Sequence, residues 1–555
     1  MSLLKLTGGR VVDPTNERDG VVADLWIRDG RIVADPGAGA RVDRVIDVSD
    51  CIVMPGGIDL HSHLAGGKVG LARTLMIDDH REHPETRTEM LRSGSGVTTP
   101  STFTTGYRYA RMGYTAAFEP AMLPANARHA HAELADLPMI DKGCYALLGN
   151  DDILLDMLAR HVSRAQIADY VAWTLRASQS VAIKCVNPGG ISAFKFNERA
   201  LGFDQPSPHY GLTPRRIVST LARAVGDLGV AHPLHLHCND LGAPGNVETT
   251  LRTIAAVEES RLHLTHLQFH SYGSEGKRGF SSGAARIAEA VNANAGISVD
   301  VGQIAFGQTV SASGDTMIQY RNHALARPRK WVCMDIECDA GCGLVPFRYR
   351  DRSFVNALQW AIGLELFLLI EDPWRVFLTT DHPNGAPFTA YPHLIRLLMD
   401  RSFRESVLAT IHRGAAEMSA LPGLAREYSL REIAIVTRAG PARSLGLEDR
   451  GHLGVGAVAD VTVYREQADR QAMFERAEYV FKDGRLVVKD GEVVEVVDGA
   501  THVARAPYDA GIEKPLRRHF EDYRTVRLEN FVVADDEITG AGGRLIEHAS
   551  ERAGA

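Results

Sequence analysis

Alternating apolar and polar positions, interrupted by glycine-bearing turns, open the chain. Residues 3 to 54 predict short strands at Leu4-Lys5-Leu6-Thr7, Arg10-Val11-Val12-Asp13, Asp24-Leu25-Trp26-Ile27 and Arg31-Ile32-Val33, with turns at Gly8-Gly9 and Asp29-Gly30. An Asp-Gly pair between two alternating runs is a strong hairpin signal, because both turn residues must take positive φ. The rhythm returns at residues 459–464, 479–488 and 491–494, again around Asp-Gly turns such as Asp483-Gly484. Two β-rich ends around a different middle predict one small β-sandwich domain built from both termini, since chain ends often lie close together.

The middle reads differently. Short β-branched runs alternate with helical stretches, the pattern of βα units and a parallel sheet. Candidate strands at 181–184, 233–237, 262–266 and 376–381 each end in polar residues. The segment is long enough for an α/β fold of the (β/α)8 TIM-barrel type, which carries catalytic residues at the C-terminal ends of its strands. The expected division is residues 1–54 for the first part of the β domain, 55–415 for the barrel, 416–500 for the second part and 501–555 for a polar C-terminal extension. That extension is expected to pack on the barrel or on another subunit.

Composition narrows the class. With 45% apolar and 23% charged residues the chain matches ordinary globular domains and not disordered or collagen-like ones. A formal charge of -8, from 69 acidic and 61 basic residues, leaves no electrostatic footprint for nucleic acid. No stretch of about 18 uncharged apolar residues predicts a membrane span, and the start at Met1 lacks the charged and apolar regions of a signal peptide. The expected location is cytoplasmic. Seven cysteines are an odd and sparse set, which argues for reduced thiols. Cys333, Cys338 and Cys342 cluster, but without paired C-x-x-C knuckles they read as buried free cysteines more readily than as a zinc or iron–sulfur site.

Chemistry enters at Asp59-Leu60-His61-Ser62-His63, which follows Pro55-Gly56-Gly57. Positions i and i+2 of a strand share a face, so His61 and His63 reach one ion together. Hydrolytic metals need further protein ligands. His237, His266 and Asp381 close later strand candidates and supply nitrogen and oxygen donors suited to zinc or a similar first-row metal. His237 is favoured over His235 because it lies nearer the strand end; His263 and His270 flank His266 as substrate or support residues. Lys184 ends another strand facing the barrel mouth, with Lys195 a competing amine nearby. A buried ammonium beside two cations is strongly disfavoured. Carboxylation to a carbamate removes the conflict by creating an anion able to bridge two metals; an ordinary ion-paired lysine is the alternative. Asp381 is placed to take a proton from the attacking water and pass it to the leaving nitrogen, although an Asp before Pro-Asn-Gly also starts an Asx turn.

The ordered set His61, His63, Lys184, His237, His266 and Asp381 resembles the amidohydrolase superfamily, whose barrel members use an H-x-H, a carboxylated lysine, two later histidines and an eighth-strand aspartate. Longer runs are similar to the family of A subunits found in formylmethanofuran dehydrogenase and the bacterial formyltransferase/hydrolase complex. These are Ile183-Lys184-Cys185-Val186-Asn187-Pro188-Gly189-Gly190, residues 235–246, His266-Leu267-Gln268-Phe269-His270-Ser271-Tyr272-Gly273 and Asp300-Val301-Gly302-Gln303. The resemblance implies two divalent ions, zinc above others, a carboxylated Lys184, and substrate contacts from Asn187 and His270. It further implies hydrolysis of formyl-methylofuran to formate and the free amine, with a formyltransferase and the other subunits of one complex as partners. A cyclic-amide hydrolase of the hydantoinase or dihydroorotase type is the alternative reading, and a barrel that serves only as a scaffold is a third.

Overall fold

The computed structural model describes residues 3–93, 101–195, 198, 201–257, 260–311, 344–540 and 542–552. Cys333, Cys338 and Cys342 lie outside them. Eight short parallel strands form the centre: β1 (Gly57–Asp59), β2 (Tyr114–Met122), β3 (Asp141–Leu148), β4 (Ala182–Val186), β5 (Leu234–His237), β6 (Leu262–Leu264), β7 (Ile297–Asp300) and β8 (Val376–Phe377). Each pairs in parallel with the next. A parallel bridge between Ser62 and His382 joins the last strand to the first, supported by a 2.8 Å bond from His63 N to the His382 carbonyl. The result is the expected barrel.

Local sequence explains the elements. Strands β2 and β3 are buried on both faces, and each carries apolar residues on both, such as Ala116, Ala117 and Phe118 on β2 and the run Cys144-Tyr145-Ala146-Leu147-Leu148 on β3. The helix Pro214–Asp227 starts with a Thr213 cap and proline at its first position, and buries Ile217, Val218, Leu221 and Val225 on one stripe. At Arg164–Ala177, Ser163 and Gln166 form a reciprocal capping box. Such helices pack their apolar stripes onto the barrel and leave the C-terminal ends of the strands open.

The two chain ends meet in a separate nine-stranded sheet. Val461–Arg465 pairs antiparallel with Cys51–Pro55, which joins the late strands to the early ones. Leu3–Asp13 is one strand instead of the two expected, because Gly8, at φ 79°, carries the chain through an irregularity between Leu6 and Gly9 without ending the ladder. This strand pairs on one side with Arg18–Arg28 and on the other with Arg44–Asp47 and then Cys51–Pro55. The sandwich is therefore one branching sheet around a shared core that includes Leu6, Val11, Ile27, Val53, Val463 and Phe481. The Asp-Gly turns behave as expected: Asp29 and Gly30, and Asp483 and Gly484, all take positive φ.

Residues beyond 500 pack on the barrel. Ala500–Arg505 meets β3 through Thr501 and Lys142, and Arg544–Ala549 pairs alongside it. A buried charge cluster ties barrel and end sheet together: Lys482 Nζ lies 3.2 Å from Asp141, 3.1 Å from Asp460 and 3.0 Å from Asp483. Arg450 Nε lies 2.6 Å from Asp141. Among the described residues no helix is long and apolar enough to cross a membrane.

Candidate metal centre

A cavity of about 360 Å³ opens at the C-terminal end of the barrel, lined by His61, His63, Lys184, His237 and His266 on one side and by Leu71, Met122 and Leu123 on another. The first strand reaches it because Gly56 and Gly57 allow close passage over β2: a Cβ would lie 2.1 Å from Thr115 Oγ1 at one and 2.7 Å from the Tyr114 ring at the other. Asp59 then sets the turn into the site. Its carboxylate accepts from His61 N at 3.0 Å, from Tyr109 Oη at 2.7 Å and from Tyr391 Oη.

His61, His63 and Asp381 converge. Asp381 Oδ1 lies 2.9 Å from His61 Nε2 and 3.2 Å from His63 Nε2. A second group, His237, His266 and His270, has ring nitrogens within 4.8 Å of one another. Lys184 lines the same cavity from β4 and is buried; burial pushes its pKa down to about 8, against the pull of Asp300 and Asp381. The sequence-derived ligands are thus brought together from the ends of β1, β4, β5, β6 and β8. Asn187, half-buried at φ 43°, accepts a 2.8 Å bond from Asn239 at the edge of this region. His270 is fully buried and, like Asn187 and Asp381, is not among the residues lining the cavity.

Two strand ends differ from expectation. β6 stops at Leu264 and β8 at Phe377, where 266 and 381 were expected to be strand residues. His266 and Asp381 instead take left-handed backbone, φ 35° and 50°, which turns their side chains out of the ladder. The bend at His266 depends on Gly302, where an added Cβ would stand 2.3 Å from His266 Cβ.

The donor set fits divalent metal ions. Burial, with Lys184 and His61 and against the pull of Asp381, holds His266 at about pKa 3, and burial keeps His237 well below the ordinary value, so both stay neutral as ligands require. Burial also opposes charge on His63, yet Glu119 and Asp381, one against each ring nitrogen, hold its pKa up at about 9. His266 Nδ1 is buried without a hydrogen-bond partner. Asp381 would be raised by burial, but His266 and His61 keep it well below the ordinary carboxylate range.

Supporting groups escaped the sequence reading. Glu119 on β2 lies 3.0 Å from His63 Nδ1 and accepts from Leu64 N and Ala65 N at 2.6 and 3.1 Å. Its only sequence signal is one acid inside a buried apolar run. Asp300 ends β7 and lies 3.2 Å from His61 Nδ1 and 3.1 Å from His263 Nε2, while accepting from His266 N at 2.9 Å and Thr379 Oγ1 at 2.7 Å. His235, 2.8 Å from His61 Nδ1, continues a polar chain to His232 at 2.9 Å. Lys68 also lines the cavity, its buried Nζ without a hydrogen-bond partner.

The barrel, the cavity at its strand ends and histidine and carboxylate groups that could hold a metal ion are the features of a hydrolase. The profile of the amidohydrolase family matches residues 44–494, and the chain belongs to that family, as a hydrolase acting on amide-type bonds. It is 47% identical over 540 residues to a subunit of the formyltransferase/hydrolase complex Fhc of Methylorubrum extorquens, covering 96% of this chain and 97% of the relative. It is 41% identical over 554 residues to protein FwdA of Methanocaldococcus jannaschii, covering 96% of each. The crystal structure of the Methylorubrum extorquens FhcABCD complex with methylofuran contains a chain that superposes with a TM-score of 0.91 at 45% identity, covering 99% of this chain and all of that one.

Proposed function

We propose that the chain hydrolyses the N-formyl group of formyl-methylofuran or a closely similar formylated amine, as one subunit of a formyltransferase/hydrolase complex in one-carbon metabolism. The observation that carries this is the convergence of donors from four strand ends on one cavity, with Asp381 beyond β8 against His61 and His63, in a chain similar over nearly all its length to a subunit of such a complex. In this reading His61, His63, Lys184, His237, His266 and Asp381 hold two divalent ions, zinc suiting the donors best, with Lys184 carboxylated. Bound ions supply Lewis-acid polarisation of the formyl carbonyl and acidification of water.

The chain's own groups do the rest. Asp381, kept ionised and held by a 2.9 Å bond from Asn384 Nδ2, takes the proton of the attacking water and delivers it to the leaving nitrogen. The balanced reaction is R–NH–CHO + H2O → R–NH3+ + HCOO−. Leu71, Met122 and Leu123 exclude water from one wall of the cavity, the unpartnered ammonium of Lys68 suits an anionic product, and we assign Asn187 to substrate contact. The test is formate release by the purified, metal-replete complex from a formylated furfurylamine. Formate release supports the reading; ring opening of hydantoin or dihydroorotate in its place would move the chain to the cyclic-amide hydrolases.

A further inference from the structure

The family plan offers two histidines to the second ion, whereas this chain brings three. His237, His266 and His270 pack with ring centroids 4.6, 5.1 and 5.3 Å apart, and one nitrogen of each lies within 4.8 Å of the others. His270 is wholly buried, and neither ring nitrogen has a hydrogen-bond partner of ordinary geometry. Leaving a buried polar atom unsatisfied costs about 1–3 kcal/mol, so an imidazole with both nitrogens unsatisfied calls for an occupant. A neutral imidazole packed against two others satisfies a ring nitrogen by offering its lone pair to a shared ion.

Local structure explains how a residue four places after His266 returns to the same point. Leu267–His270 forms a single tight helical turn that begins at the left-handed His266, and Thr250 Oγ1 anchors its end by donating to the His270 carbonyl at 2.7 Å. The turn brings the His270 ring against those of His237 and His266.

We propose that His270 is a third nitrogen ligand of the ion held by His237 and His266. The proposal rests on the two-ion reading of the site but not on the identity of the substrate. Three imidazole nitrogens favour zinc over magnesium or manganese at this position.

Metal content tests it without reference to turnover. The purified complex, titrated with zinc after chelation, is expected to hold two ions on this chain, and His270→Ala and His270→Gln are expected to keep the first and weaken the second by at least about tenfold. Unchanged affinity in both variants would overturn the proposal. Should either variant fail to assemble, an anomalous-difference map of zinc-loaded wild-type crystals decides: a His270 nitrogen at about 2.0–2.1 Å from the second ion is the expected result, and an ion out of bonding reach of His270 the contrary one. A complex that holds two ions with His270 bound yet releases no formate would overturn only the substrate reading.

Discussion

Asp381 ties together the two histidines of the first candidate metal group. One of its oxygens faces His61 and His63 and also accepts from Asn384, so its orientation is fixed on several sides before substrate arrives. Asp381→Asn keeps the shape and removes the proton acceptor. Turnover is expected to fall by about 10²–10⁴-fold while circular dichroism and complex assembly stay as in wild type; undiminished formate release would refute the acid–base role. The residues of this group were legible in the sequence because His61 and His63 sit two apart and Asp381 precedes a turn signal. Glu119 was not, since its contact with His63 joins positions 56 apart. Nor was Gly302, whose bare backbone matters only because His266 folds against it.

At the scale of elements, β7 does more than complete the barrel. Its last residue, Asp300, hydrogen-bonds or faces the imidazole of His61, the backbone of His266 and the hydroxyl of Thr379, two residues before Asp381. One carboxylate therefore positions parts of both candidate half-sites. Asp300→Asn retains size but loses the charge that orients His61. Metal affinity, measured by competition with a chelator, is expected to drop about 10- to 100-fold, and affinity equal to wild type would show that Asp300 serves folding alone. The sequence marked Asp300-Val301-Gly302-Gln303 as a motif without a role, because the role lies in neighbours just beyond β1, β6 and β8.

Across the whole molecule, the Lys482 cluster fastens the end sheet to the start of β3. Lys482 is fully buried among Asp141, Asp460 and Asp483. Removing one partner of a buried ion cluster strands the remaining charge, so Lys482→Met is expected to destabilise the chain by about 3–5 kcal/mol, read as a lowered denaturation midpoint. Burial would raise Asp141, but Lys482 and Arg450 hold its pKa well below the ordinary value. A depressed carboxylate contributes stability that is fully present above its unfolded pKa of about 3.9 and lost as pH falls through the folded value. Wild-type stability should therefore decline on acidification below about pH 4, and the variant should show a smaller dependence there; identical acid profiles would contradict this account.

Local sequence determined the alternation of strands and helices, the Asp-Gly hairpins and the types of ligand, because propensity, turn geometry and the period-two spacing of His61 and His63 act between near neighbours. Tertiary structure alone decided which histidines meet. His235 and His237 look alike in sequence, yet His237 lines the cavity while His235 lies beneath it against His61. His266 reaches the cavity and His270 its buried flank through one left-handed residue and a single helical turn. Strand length, barrel closure and the burial of Lys184 arise from contacts between residues far apart in the chain, and that is where the physical limit of local reading falls.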